Sequence, residues 1–93
     1  MSIEERRMEL VNKAINDFGG LLRDYRRDNF LSLQDMSELV GCSSSYLHRI
    51  ENKKRNPETD FRIRVLIGMN WLTEDIYAYL EKVISREQTN KTE

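Results

Sequence analysis

The sequence contains little proline, glycine or cysteine, and it has no long apolar run. One proline and four glycines among 93 residues leave few breaks, so we expect a helical chain with short connections. A lone cysteine cannot form an internal disulfide, and no apolar stretch approaches the roughly 18 residues of a membrane span. No secretory signal pattern opens the chain, and the sequence therefore predicts a single cytoplasmic domain with no membrane contact.

Histidine is also scarce, and charge is unevenly distributed. His48 has no cysteine or second histidine at ligand spacing, so the sequence predicts no metal site. No nucleophile, base and orienting group can be assembled, and we expect neither enzyme activity nor a cofactor. The net charge of −1 argues against indiscriminate nucleic-acid binding, yet residues 44–64 hold six basic and three acidic side chains. We expect any attraction for phosphate to be concentrated there.

Apolar residues recur at helical spacing through most of the chain. The first run covers 3–18, is bent or interrupted at Gly19-Gly20, and resumes as far as Asn29. The remaining predicted helices cover 32–40, 43–52, 59–70 and 73–84. Ser32 is expected to cap the helix over 32–40, and Ser43 the helix over 43–52. Gly41 is expected to end the first of these two helices, before a short turn. In the predicted helix over 32–40, Met36, Leu39 and Val40 are expected to face inward.

The residues between Phe18 and Trp71 resemble a known family. Those that carry the resemblance, in order and spacing, are Leu31-Ser32, Met36-Ser37-Glu38-Leu39-Val40-Gly41-Cys42-Ser43, Leu47, Arg49-Ile50-Glu51 and Lys54-Arg55-Asn56-Pro57. This stretch is similar to the Xre-like helix-turn-helix family, which includes phage repressors and Cro. The resemblance implies an all-α, five-helix, repressor-like domain with its helix-turn-helix at 32–52, and an added N-terminal helix before it.

The expected organisation follows from these assignments. An N-terminal helical extension covers 1–17, the helix-turn-helix DNA-binding domain covers 18–72, a C-terminal helix suited to dimerisation covers 73–86, and a disordered tail covers 87–93. We expect the extension to pack against the last helix or against a partner subunit.

The third helix of this arrangement is expected to enter the major groove of double-stranded DNA, held there by the helix before it. Leu47 and Ile50 supply its buried side. The candidates for base reading are Ser44, Ser45, His48, Arg49 and Asn52. Arg49 is the leading candidate because a guanidinium can donate two hydrogen bonds to guanine. The alternative for Arg49 is an ordinary solvated side chain.

A second group of residues is suited to the phosphate backbone. The candidates are Ser32, Gln34, Tyr46, Lys53, Lys54 and Arg55. Leu33 stands where the family commonly has a glutamine that meets phosphate, so Gln34 has to substitute for it. The alternative for the three consecutive basic residues is a solvated loop.

Three further expectations come from the resemblance. Glu51 is expected to form a structural ion pair with Arg26 that braces the recognition helix from behind; its alternative is an exposed acid. Lys53 and Phe30 each stand where the family often has a helix-ending glycine. The resemblance implies a regulator that acts as a homodimer on two half-sites, most simply a repressor.

The partner surface is less constrained by the sequence. The candidates for a dimer interface are Trp71, Ile76, Tyr77, Leu80, Val83 and Ile84, and the alternative is that they complete the monomer core. A second function class also stays open: a protein-interaction module, such as an antirepressor, antitoxin or adaptor, that keeps the fold and binds a protein co-regulator.

Overall fold

Six α-helices joined by short turns make up the part of the chain that the structure describes. In the computed structural model, the backbone is described for residues 2–91 and the side chains for residues 2–87. The helices are α1 (Ile3–Asn16), α2 (Phe18–Asp28), α3 (Leu33–Val40), α4 (Ser44–Glu51), α5 (Thr59–Gly68) and α6 (Thr73–Lys91). No strand occurs within residues 2–91. The all-α prediction, with an extra helix before the repressor-like set, is confirmed.

Asp17 separates α1 from α2. Its backbone is not helical, with φ of −150° and ψ of 61°, and its carboxylate accepts a hydrogen bond of 3.1 Å from the Gly20 amide. Asp17 therefore caps α2, which satisfies one of the amides that a helix start leaves unpaired. The predicted break at Gly19-Gly20 is wrong, because both glycines lie in the first turn of α2.

Gly19 has a different role, which is to let two helices approach. It is buried, and a Cβ atom placed there would lie 2.4 Å from the carbonyl oxygen of Ile50, in the last turn of α4. The backbone of α2 therefore lies directly against the end of α4, at a distance that no side chain allows. Gly19, which the sequence analysis interpreted as part of a helix break, is instead the residue that allows α2 to lie close to the end of α4.

Gly19→Ala is expected to lower the free energy of unfolding by about 2 kcal/mol, because backbone atoms of α4 have to shift to admit the methyl group. Gly68→Ala is the matched control, since its added methyl meets the side-chain Cγ1 of Val40 at 3.3 Å rather than backbone. We expect a change within about 1 kcal/mol for the control. Urea unfolding followed by circular dichroism measures both, and equal losses would contradict this account of Gly19.

The helix-turn-helix unit begins and turns where capping chemistry predicts. The Ser32 hydroxyl accepts a 2.9 Å hydrogen bond from the Asp35 amide, and the Ser32 amide donates a 3.0 Å bond to the Asp35 carboxylate. Gly41 ends α3 with φ of 76°, a conformation that glycine adopts cheaply. The Ser43 hydroxyl then accepts a 3.1 Å bond from the Tyr46 amide and starts α4. These caps hold α3 and α4 to a three-residue turn.

The hydrophobic core draws on all six helices. Its buried members are Val11, Ala14, Phe18, Leu21, Leu22, Met36, Val40, Leu47, Ile50, Phe61, Val65, Leu66, Met69 and Tyr79. Leu39 is not among them: the residue expected to face inward is half exposed. A Cβ atom added at Gly68 of α5 would lie 3.8 Å from the Leu39 Cγ, so Leu39 borders the contact between α3 and α5 and is only partly covered by it.

The N-terminal helix packs against the last helix of the same chain. The Arg7 guanidinium donates a 2.7 Å hydrogen bond to Asp75, and the Lys82 ammonium donates another of 2.7 Å to the side-chain oxygen of Asn12. Val11 and Ala14 of α1 are buried in the shared core. The extension is therefore an integral part of the fold.

The last helix is longer than the sequence predicted. It continues to Lys91, so the disordered tail expected over 87–93 is not found at 87–91; residues 92 and 93 lie outside the described residues. None of the helices within the described range combines the length and hydropathy of a membrane span.

Candidate nucleic-acid interface

One side of α4 is buried and the other faces solvent. The side chains turned into the molecule are those of Leu47, Ile50 and Glu51. On the opposite side Ser45, His48 and Arg49 are exposed and Ser44 is half-buried. We call these four residues the recognition face. Within the described residues, the side chains of Ser45, His48 and Arg49 make no hydrogen bond, ion pair or ring contact.

The recognition face is continuous with the start of α3. An open cleft is lined by Ser32, Leu33, Gln34, Ser44, Ser45, His48 and Arg49. The structure therefore brings two phosphate candidates, Ser32 and Gln34, beside four of the base-reading candidates. Helix-turn-helix domains enter a major groove with this arrangement, in which one helix has a free outer face and the end of a second helix lies beside it.

Asn52 is less available than the other base-reading candidates. Its side-chain amide donates a 2.8 Å hydrogen bond to the His48 carbonyl, and its oxygen accepts a 3.3 Å bond from Arg23. The residue ends α4. The base-reading role expected for Asn52 would require these two hydrogen bonds to open.

A buried carboxylate anchors the inner side of α4. Glu51 is only 4% exposed, and it accepts hydrogen bonds of 2.8 and 2.9 Å from Nε and Nη2 of Arg26. These hydrogen bonds raise the pKa of Arg26 above its usual value. Arg26 Nη1 also donates a 3.1 Å bond to the Leu31 carbonyl. The two residues named for a structural ion pair are thus in bidentate contact.

Arg23 adds a second guanidinium to this anchor, and the sequence analysis missed it. Its Nη2 donates a 2.9 Å hydrogen bond to the Glu51 carbonyl, and its Nε lies 3.5 Å from the carboxylate. Arg23 precedes Arg26 by three residues, so both project from one face of α2. The spacing alone does not say which of the two arginines reaches α4. We call Arg23, Arg26 and Glu51 the clamp.

The three consecutive basic residues, here called the basic loop (53–55), have different surroundings. Lys53 lies 3.4 Å from the Asp17 carboxylate, and the Arg55 guanidinium lies over the Tyr46 ring, 5.8 Å from its centroid. Lys54 is exposed and has no side-chain partner among the described residues. Of the three residues in the basic loop, Lys54 is therefore the one most freely available to a phosphate.

The Asp17 carboxylate lies beside this positive segment. Burial raises the pKa of Asp17, but the hydrogen bond from Gly20 and the charges of Lys53 and Lys13 outweigh that effect, so its pKa lies below the usual value. The side chain is ionised at neutral pH. It neutralises part of the basic loop from the start of α2.

Tyr46, expected at the phosphate backbone, is half-buried and packs on α5. Its ring meets Phe61 edge-on, with centroids 5.1 Å apart. The Tyr46 ring therefore packs against the hydrophobic core and also lies under the Arg55 guanidinium.

Arg62 holds the connection between α4 and α5, and the sequence analysis did not identify it. Its Nε donates a 2.8 Å hydrogen bond to the Pro57 carbonyl, its Nη2 donates to the side-chain oxygen of Asn56, and its guanidinium lies 4.9 Å from the Phe18 ring centroid. The residue is one of six basic side chains in a positive stretch, and nothing in the sequence distinguished it from its neighbours. It fixes the loop that carries the basic residues.

The start of α3 is more acidic than a phosphate site requires. The Ser32 amide is already bonded to Asp35, and the hydrogen bond from Ser32 lowers the pKa of that carboxyl. Gln34 donates a 3.1 Å hydrogen bond to Glu38. A phosphate approaching Ser32 or Gln34 would be repelled by two carboxylates, those of Asp35 and Glu38. This repulsion opposes the phosphate contact predicted for Ser32 and Gln34.

The candidates for a dimer interface divide into two groups. Trp71, Ile76, Leu80 and Val83 are half-buried and pack against the core of their own chain. Tyr77 and Ile84 are exposed. Among the described residues, seven further large apolar residues that the sequence analysis did not propose for an interface are also exposed: Ile3, Met8, Leu10, Phe30, Leu39, Ile67 and Leu72.

A helix braced from behind, with a free outer face and a basic loop at its end, defines a helix-turn-helix domain of the DNA-binding class. A family model described as a helix-turn-helix domain matches residues 17–66, more than half of the chain. The chain belongs to this family, whose small all-helical members are typical of regulators rather than enzymes. The match begins at the residue that separates α1 from α2 and leaves α6 outside. No curated protein and no solved structure matches the chain.

Proposed function

We propose that this chain is a cytoplasmic, sequence-specific regulator of transcription that binds double-stranded DNA and belongs to the Xre-like branch of its family. α4 enters the major groove, and occupancy of a promoter represses transcription. The observation that carries the proposal is the division of α4 into an inner side held by the clamp and an outer side with unpartnered polar side chains. A rigid helix with free hydrogen-bonding groups is what direct readout requires.

Base reading is assigned to the recognition face. Arg49 has both edges of its guanidinium free, and this geometry suits the two acceptors of guanine in the major groove. Ser44 and Ser45 are short groups in the first turn of α4, where the positive end of the helix favours acceptors. His48 lies one turn from both.

Attraction to the phosphate backbone is assigned to the basic loop. Lys54 is free, Arg55 is held on Tyr46, and Lys53 is shared with Asp17. Cations that neutralise phosphates release counterions, which makes affinity fall as salt rises. The basic loop follows α4 directly, so it supplies sequence-independent affinity next to the reading helix.

Asp17→Asn is expected to strengthen DNA binding. Asparagine keeps an oxygen that caps the Gly20 amide, but it no longer holds Lys53 by charge. One additional phosphate contact should steepen the slope of log affinity against log salt by about 0.9 and raise affinity about threefold at low salt. Fluorescence anisotropy with a random duplex over a salt series measures both.

Glu81→Gln is the control for that experiment. It removes the same charge from α6, where Glu81 is exposed and has no side-chain partner within the described residues. Its salt slope should stay at the wild-type value. An unchanged slope for Asp17→Asn would show that Asp17 does not withhold Lys53 from phosphate.

The functional unit proposed is a homodimer on two half-sites about one helical turn, or about 34 Å, apart. Five of the exposed apolar residues are proposed for this interface: Tyr77 and Ile84 on α6, with Leu39, Ile67 and Leu72. Sedimentation velocity at micromolar concentration tests this point. A monomer both free and bound to DNA would remove the dimer from the proposal.

One observation favours a second function. The carboxylates of Asp35 and Glu38 on α3, together with the net charge of −1, suit a protein partner better than a phosphate backbone. The alternative is a protein-interaction module, such as an antirepressor, antitoxin or adaptor, on the same fold.

Selection of bound duplexes from a random pool tests the proposed function and separates it from the alternative. We expect enrichment of a defined sequence, and binding to unselected DNA that weakens steeply with salt. Absence of detectable binding to either DNA at low salt would reject DNA recognition in favour of a protein-interaction module.

A further inference from the structure

Three helices are followed, two residues after their last helical residue, by a residue with positive φ that is not glycine. These residues are Phe30, Lys53 and Asn70, with φ of 56°, 62° and 61°. Each is followed by the hydrogen bond that closes such a helix end; after Phe30, the Leu31 amide donates a 2.8 Å bond to the Arg26 carbonyl. A left-handed conformation is unfavourable for residues with a Cβ atom, and least so for asparagine.

Two of the three residues have an evident reason to be there. Asn70 is the tolerated choice, and Lys53 contributes charge to the basic loop and pairs with Asp17. Phe30 has neither advantage. Its side chain is 95% exposed and packs against none of the described residues. The fold would gain from glycine at this position, so packing among the described residues does not account for the ring.

Phe30 is close in sequence to the cleft beside the recognition face, although it does not line the cleft. Ser32, which lines that cleft, is two residues further along the chain, within about 7 Å. The intervening Leu31 is tied through both its amide and its carbonyl to Arg26, a member of the clamp. Phe30 is therefore held in a fixed position relative to α4. Arg27 lies three residues before Phe30. It is exposed and has no side-chain partner in the described part of the chain.

We propose that Phe30 is a DNA-contacting residue that packs its ring against a deoxyribose of the strand bordering the groove. The inference rests on the proposed function. A phenyl ring has no hydrogen-bonding group for base edges, whereas the C–H face of a sugar is apolar and occurs at every nucleotide. The contact adds affinity without sequence preference and without releasing counterions.

Phe30→Gly tests the proposal because its two effects have opposite directions. Relief of the left-handed backbone should raise Tm by about 4 °C. Loss of the ring should lower affinity for the selected duplex and for random duplex by the same factor, about fivefold, with the salt slope unchanged. Phe30→Tyr keeps the ring and is expected to bind within about twofold of wild type.

Anisotropy titrations of wild type, Phe30→Gly and Phe30→Tyr, with sedimentation velocity of each, separate the outcomes. Wild-type affinity in Phe30→Gly overturns the proposal, and so does a loss that Phe30→Tyr does not restore. A change in self-association on removing the ring overturns it in favour of contact between copies of this chain. If wild type itself binds no DNA, the proposed function has failed, and the Phe30 contact with it.

Discussion

Replacing Glu51 by alanine is expected to lower the free energy of unfolding by about 3 kcal/mol, because it leaves two guanidinium groups around a carboxylate-sized gap. The carboxylate is buried and accepts hydrogen bonds of 2.8 and 2.9 Å from Arg26, with Arg23 at 3.5 Å. Breaking a buried pair by removing one partner costs more than an exposed pair ever contributes. For a domain of this size the loss corresponds to a fall in Tm of more than about 10 °C.

Thermal and urea unfolding followed by circular dichroism measure this effect. Glu58→Ala is the control: Glu58 precedes α5, is exposed, and makes no capping hydrogen bond. Its stability should change by less than about 0.5 kcal/mol. Glu51→Gln, which keeps an acceptor for Arg26, should fall between the two. Equal stability of Glu51→Ala and Glu58→Ala would show that the clamp does not brace α4.

Arg49→Ala is expected to weaken binding to the selected duplex by about 5- to 150-fold while leaving the stability of the protein unchanged. The magnitude is that of one bidentate contact to guanine, about 1–3 kcal/mol. Stability should not change because the side chain is exposed and unpartnered within the described residues. Anisotropy titrations against the selected duplex and a scrambled duplex measure the effect, which should be small on the scrambled sequence.

Lys54→Ala is the companion variant, because it removes an equally exposed cation from the basic loop. It should weaken binding to both duplexes by a similar factor and reduce the salt slope by about 0.9. The two variants therefore separate base reading from phosphate attraction. Arg49→Ala that weakens both duplexes equally would show that Arg49 is only another phosphate contact.

Much of the fold could be predicted because its boundaries are local. Ser32, Gly41 and Ser43 mark the ends of α3 and α4 through capping chemistry that involves residues three positions apart. Asp17 was missed because a double glycine is a stronger break signal than a lone aspartate. The reason for Gly19 is a carbonyl 31 residues away in sequence, at Ile50, and no local pattern contains that contact.

The candidate site was predictable in its outward face and less so in its electrostatics. Helical spacing alone places Arg49 opposite Leu47 and Ile50. The clamp was anticipated only for Arg26 and Glu51, through a family resemblance, since spacing along α2 does not say which arginine reaches a neighbouring helix. Leu39 shows the same limit: periodicity predicts which apolar residues share a face, but the neighbouring helices decide how far that face is covered.

Amide NMR mapping of the wild-type chain with its selected duplex tests the central claim most directly, because it locates the DNA surface without any substitution. The account predicts that the largest shifts belong to residues 44–49, the start of α3 and the basic loop, while amides in the middle of α6 change little. Shifts confined to α5 and α6, with the recognition face unaffected, would contradict the assignment of α4 to the major groove.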